Sequence, residues 1–174
     1  LGISRSALAS HISSLIRQGY VQGRGYVLRE GPYVVVIGGA NMDICGTSHD
    51  NLLLGDSNPG KVRTSAGGVG RNIAENLARL GSDTRLLTAV GNDQYGHHLL
   101  EVSQRAGVDV RQTLVLDGHA TSCYLSLHDG SGEMSCAIND MAIIEQLTPA
   151  RLTPLGGFLG GARLWVLDTN LAIH

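Results

Sequence analysis

Aromatic side chains are scarce, making up 4% of the 174 residues with one Trp and one Phe. Small aliphatics and 24 glycines must therefore do the packing and turning. That suits an α/β protein with close helix–sheet contacts better than a β-sandwich. Cysteine is equally sparse. Cys45, Cys123 and Cys136 are widely spaced and odd in number, which argues against a disulfide framework and against a zinc ligand set. A formal charge of −2 gives no overall attraction to nucleic acid or a membrane surface, so any DNA contact must come from a local patch. No uninterrupted apolar stretch is long enough to span a bilayer, and no charged segment with an apolar run and cleavage site opens the chain. A soluble, cytoplasmic protein with reduced thiols is the expectation. The chain starts at Leu1 and closes on LWVLDTNLAIH, a strand running into a further element, so both ends are expected to be cuts.

An apolar fraction of 43% suffices for one packed domain plus a small appendage. The appendage is residues 1–30, which carry Arg5, Arg17, Arg24 and Arg29 against a single acidic residue, Glu30. Ser4 can cap a helix with apolar positions Leu8, Ile12, Leu15 and Ile16, and Gly19 is a fitting stop. Two short strands around Gly23-Arg24-Gly25 follow. The text GISRSALASHISSLIRQGYV with this hairpin resembles the recognition helix and wing of a winged helix-turn-helix, in part only, because the preceding helix is missing. That resemblance would set Ser4, Arg5, Ser6 and Ser10 toward a DNA major groove and Arg24 near phosphates. An appendage that never touches DNA is the competing reading. Glu30-Gly31-Pro32 is the expected linker.

Residues 31–174 open with Tyr33-Val34-Val35-Val36-Ile37, a β-branched run typical of a strand buried on both faces. It ends in Gly38-Gly39-Ala40-Asn41-Met42-Asp43. Asn41 and Asp43 are two apart, so on extended backbone they share a side, at the strand end where open α/β sheets bind ligands. A carboxylate that accepts from vicinal hydroxyls beside an amide that donates and accepts suits a sugar, although the pair is also ordinary turn chemistry. The poorly periodic stretch 44–64 is expected to run out to a flap and return through Asn58-Pro59-Gly60. Next comes SAGGVGRNIAENLARL (65–80), a glycine-rich turn opening into a helix with Ile73, Leu77 and Leu80 on its apolar face. Its glycines permit close approach of a ligand, or simply tight helix–sheet packing.

Further strands are expected at Asp83–Val90, Val108–Leu116 and Leu164–Leu167, the last in the core, with a helix over Gln94–Ala106. His97 and His98 are adjacent and read as solvated positions rather than metal ligands. Asp129-Gly130-Ser131-Gly132 marks a hairpin that would form a second lid segment near 118–140. Thr148-Pro149 starts a short helix, and Leu155–Gly161 reads as a glycine-rich approach to the last strand.

The GGANMD strand end, the flap and AGGVGRNIAENLARLG together resemble the amino-terminal half of the PfkB carbohydrate kinases, the ribokinase-like family, over Val34 to Asn170. The resemblance implies an α/β, Rossmann-like, mostly parallel sheet with helices on both faces and a small β-lid, here truncated. By matching position it implies that Asn41, Asp43, Gly67, Gly68 and Asn72 hold a sugar or nucleoside, with Asn170 a weaker match. Within the family, DSNPGKVRTSAGGVGRNIAENLARLG is most similar to bacterial members that phosphorylate pseudouridine. ATP, Mg2+, a monovalent cation such as K+, and pairing of two copies through the lid are then implied. The family's catalytic aspartate lies in a Gly-Ala-Gly-Asp motif, which does not occur in this sequence. No catalytic base is therefore assigned, and the chain alone is expected to be inactive. A kinase for another sugar or nucleoside, and a nucleoside-sensing winged-helix regulator, are the alternatives.

Overall fold

The computed structural model describes residues 4–18, 21–22, 27–28 and 31–171. The chain divides into two compact units, Leu1–Pro32 and Tyr33–His174. In the first, helix α1 (Arg5–Arg17) starts where the Ala7 N–H donates to the Ser4 hydroxyl at 3.2 Å. Arg17 in its last turn complements the helix dipole. Strands β1 (Val21–Gln22) and β2 (Val27–Leu28) pair antiparallel. Ser10 is exposed on α1. Arg24 lies outside the described residues, as do the side chains of Arg5 and Ser6.

The second unit is built on β3 (Val34–Ile37), flanked in parallel by β6 (Thr84–Leu87) and β11 (Leu164–Leu167). Past Thr88 the chain continues into β7 (Ala89–Gly91), which pairs in parallel with β8 (Leu114–Leu116). Val35 and Ile37 pack with Leu87, Ala89, Ile143 and Leu147, and Val36 packs on the opposite side with Ala74, Leu86 and Val108. Alternation along one strand thus feeds two cores, as a strand covered on both faces requires. Helices α2 (Val69–Arg79) and α3 (Gln94–Arg105) cover one face. A 3-10 turn at Ala142–Gln146 and the short helices α4 (Pro149–Leu152) and α5 (Gly156–Gly160) cover the other. Fully burying Leu86, Leu87 and Leu99 contributes about 2 kcal/mol each.

A separate four-stranded sheet forms the lid. It contains β4 (Asn41–Ser48), β5 (Gly60–Gly67), β9 (Cys123–His128) and β10 (Met134–Asp140) in the order β10-β9-β4-β5. β4 and β9 run parallel, and the outer pairs are antiparallel. Its root is seated by Ala40, Met42, Val90 and Leu99, which form a third buried cluster. At the flap turn the Asn58 side chain accepts from the Leu53 N–H at 2.8 Å and donates to the Leu53 carbonyl at 3.0 Å.

Several expectations need correction. The lid strands reach back to Asn41 and on to Gly67, so Asn41 and Asp43 open a lid strand instead of closing β3. α2 starts at Val69, and Leu80, its C-cap, is 84% exposed because the helix face has already turned outward. The stretch before Thr113 contributes only a bridge, Arg85 to Asp109, and the regular strand is Leu114–Leu116. Gly156–Gly160 is helical. β11 is an edge strand with Leu164, Trp165 and Leu167 all more than half exposed.

Candidate functional site

The site forms where β3 stops and the lid begins. Gly38 and Gly39 carry the backbone across, and the Asp168 carboxylate from the end of β11 fills the space beside them. Asp168 Oδ2 accepts the Gly39 N–H at 2.7 Å and the Gly70 N–H at 2.9 Å, and Oδ1 accepts the Asn170 N–H at 2.8 Å. A Cβ on Gly38 would lie 2.2 Å from Asp168 Oδ2. Asp168 is 6% exposed, so this buried charge is held by three backbone donors and by the positive end of α2. The protein's own carboxylate stands where an anionic ligand would meet this helix start. A nucleotide phosphate therefore does not fit here.

Beside this clasp lies a cavity of about 360 Å3. It is lined by Gly39 after β3, Asn41 and Asp43 on β4, Gly68, Val69 and Asn72 at the α2 start, Asn170 after β11, Ser122, Tyr124 and Asn139 along the lid wall, and Met141 and Ile144 at the 3-10 turn. Its size and mixed lining suit a small polar molecule. Asn41 Nδ2 donates to Asp43 Oδ1 at 2.6 Å, so the two side chains do share a side. Gly68 caps α2 at φ +97°, and a Cβ there would sit 2.5 Å from both Ala40 Cα and the Gly39 carbonyl oxygen. The helix can approach the rim this closely only with glycine at that point.

Of the residues expected to bind substrate, the cavity brings together Asn41, Asp43, Gly68, Asn72 and Asn170. Gly67 is not in its lining. It pairs with Asn41 in the β4–β5 ladder, and a Cβ would lie 2.2 Å from Asp43 Oδ2, so it keeps room for that carboxylate. In the first unit, Ser4 is engaged in capping α1. His97 and His98 are exposed, and among the described residues no group of three or more His, Cys, Asp or Glu could hold a metal ion.

Sequence reasoning assigned no role to Asp168 and missed Arg71 and the lid wall. Register supplies the signal for the last of these: Asp43 pairs with Tyr124, and Tyr124 with Asn139, placing all three in one cross-strand row. At the lid base, burial alone would push the Asp93 carboxyl up. Bonds from the Gly96 N–H and from the N–H and hydroxyl of Thr121 outweigh it and hold the group below its ordinary value. Burial, with Asp140 and Asp43 nearby, pushes the Cys123 thiol up, which makes it a poor nucleophile.

The family model "pfkB family carbohydrate kinase" matches residues 32–154. An Escherichia coli (strain K12) protein described as "Uncharacterized sugar kinase YeiI" is 46% identical over 98% of this chain and 47% of its own length. The pseudouridine kinase of the same organism is 50% identical over 83% of this chain and 46% of its own. A solved carbohydrate kinase from Agrobacterium tumefaciens superposes with a TM-score of 0.73 at 30% identity, over 81% of this chain and 46% of that one. The chain spans about half the length of the curated relatives it matches. With the family model covering well over half of it, the chain belongs to the pfkB family of carbohydrate kinases.

Proposed function

We propose that the chain is the nucleoside-binding part of an ATP-dependent kinase that transfers a phosphoryl group to the 5′-hydroxyl of pseudouridine, giving pseudouridine 5′-phosphate and ADP. The observation that carries this reading is the Asn41–Asp43 pair on the cavity wall, an acceptor surface matched to the hydroxyls of a ribose. The relative named pseudouridine kinase supports the choice of substrate. In this reading Asn72 and Asn170 contact the ligand from α2 and the sheet rim, and Gly68 brings the helix close. ATP with Mg2+, and a monovalent cation such as K+, belong to residues outside the cavity described, because Asp168 occupies the α2 start. Without a Gly-Ala-Gly-Asp motif the chain is expected to bind nucleoside and to release no ADP above background in a coupled assay.

Substrate identity is tested by titrating the chain with pseudouridine, inosine and ribose. Tightest binding to pseudouridine supports the reading, and a preference for either competitor replaces the substrate while keeping the site. The outward lid face, where Val62 and Ile138 are exposed, supports pairing of two copies through the lid. The helix-and-hairpin unit supports a DNA-binding role for residues 1–30, which a gel shift with and without nucleoside would test.

A further inference from the structure

On α2, beside the cavity, lies a buried cation that the proposed function does not use. Arg71 is 5% exposed. Its Nη1 donates to Asn72 Oδ1 at 2.6 Å and to the Ala66 carbonyl at 3.2 Å, and its Nη2 pairs with Glu75. Glu75 also takes Arg79 at 2.6 Å. The Arg71 Nε is buried without a partner. An incompletely satisfied buried guanidinium is destabilising relative to an apolar side chain of similar size, so packing alone does not account for it.

We infer that Arg71 is a positioning residue, which fixes the Asn72 amide with its nitrogen available to the cavity and so makes a hydrogen-bond acceptor on the ligand a requirement of this site. A guanidinium only donates, so the Asn72 atom that faces it is the carbonyl oxygen. Both amide N–H groups are then left for the ligand. Across the cavity the polarity is opposite. Asn41 spends its nitrogen on Asp43, leaving Asn41 Oδ1 and Asp43 Oδ2 as acceptors. The walls therefore select a molecule that offers hydroxyl donors toward Asp43 and an acceptor oxygen or nitrogen toward Asn72. Glu75 balances the Arg71 charge and keeps the fork from swinging away. This inference rests on the nucleoside-site reading and adds to it a direction for one hydrogen bond.

The test uses the whole 174-residue chain, with pseudouridine as the probe in calorimetric titration and thermal unfolding as a check on folding. Arg71→Met is expected to weaken binding tenfold or more, because the amide is then free to present either end. Arg71→Lys, which keeps a donor and a charge, should stay within about threefold of the parent. Asn72→Asp keeps the Arg71 contact but removes the donor, and should also lose tenfold or more. The double variant Arg71→Met/Asn72→Asp should bind no more weakly than the poorer single one, since both remove one interaction. Parent-like binding by Arg71→Met, or by Asn72→Asp if Arg71→Met does not fold, overturns the inference. If the parent chain binds no nucleoside, the site reading fails and the 15N-labelled, ligand-free chain decides. A single sharp Asn72 NH2 pair that broadens or doubles in Arg71→Gln supports Arg71 as the positioning group, and an unchanged pair overturns it.

Discussion

The Asp168 carboxylate accepts the Gly70 backbone N–H at 2.9 Å across 98 residues of chain, and the same oxygen accepts Gly39 at 2.7 Å. One side chain thereby ties the end of β11 to the start of α2 and to the β3–β4 crossing, three segments that line the cavity. Asp168→Ala leaves three backbone donors without their partner; Asn170 is exposed and can turn to water, while each bond lost at Gly39 and Gly70 costs about 1–2 kcal/mol. A loss of about 2–4 kcal/mol is expected in urea unfolding, with Asp168→Asn losing less because an amide oxygen still accepts.

Two glycines with similar φ separate conformational strain from crowding. Gly81 has φ +89° and open space around a built Cβ, so Gly81→Ala is expected to cost about 1 kcal/mol. Gly68 has φ +97° and backbone atoms 2.5 Å from such a Cβ. Gly68→Ala should cost about 3 kcal/mol or more and narrow the cavity, read as a lower unfolding midpoint together with lost ligand binding.

Asp93 gives a pH signature. Its folded carboxyl sits below the ordinary 3.8, the bonds from Gly96 and Thr121 prevailing over the upward push of burial. Its contribution to stability is therefore full above the unfolded value and is lost as pH falls through the folded one. Asp93→Asn should be less stable than the parent at pH 7, with the gap closing as pH drops below about 4. The difference between the two proteins is the proper readout. Asp109, held low chiefly by its bond to Arg111, titrates in the same range in both.

The parts of the fold legible in sequence are those whose signal is local. The β-branched run of β3 announces a strand buried on two faces, and the spacing of Ile73 and Leu77 announces the inward face of α2. Asp129-Gly130-Ser131-Gly132 announces the β9–β10 hairpin, where the Asp129 carboxylate accepts from the N–H groups of Ser131 and Glu133. The role of Asp168 is invisible because its partners are backbone N–H groups, identical at every residue and distant in the chain. Asn41 and Asp43 read as the end of the first strand, or as a turn after it, because Gly38-Gly39 interrupts the apolar run and polar residues begin the next strand. Only pairing with β5 and β9 makes that segment extended. Gly156–Gly160 carries three glycines, a composition with low helix propensity, and is helical through packing of Phe158 and Leu159 on the core.

That Asp43 anchors a nucleoside in this cavity is most directly tested by titrating the 174-residue chain and its Asp43→Ala variant with pseudouridine. Hydrogen bonds to a charged group contribute about 1.5–3 kcal/mol, or roughly tenfold to a hundredfold in affinity. Saturable one-to-one binding that falls by that factor in a folded Asp43→Ala chain is the expected result. Equal affinity of the two proteins, or no binding by the parent chain, would contradict it.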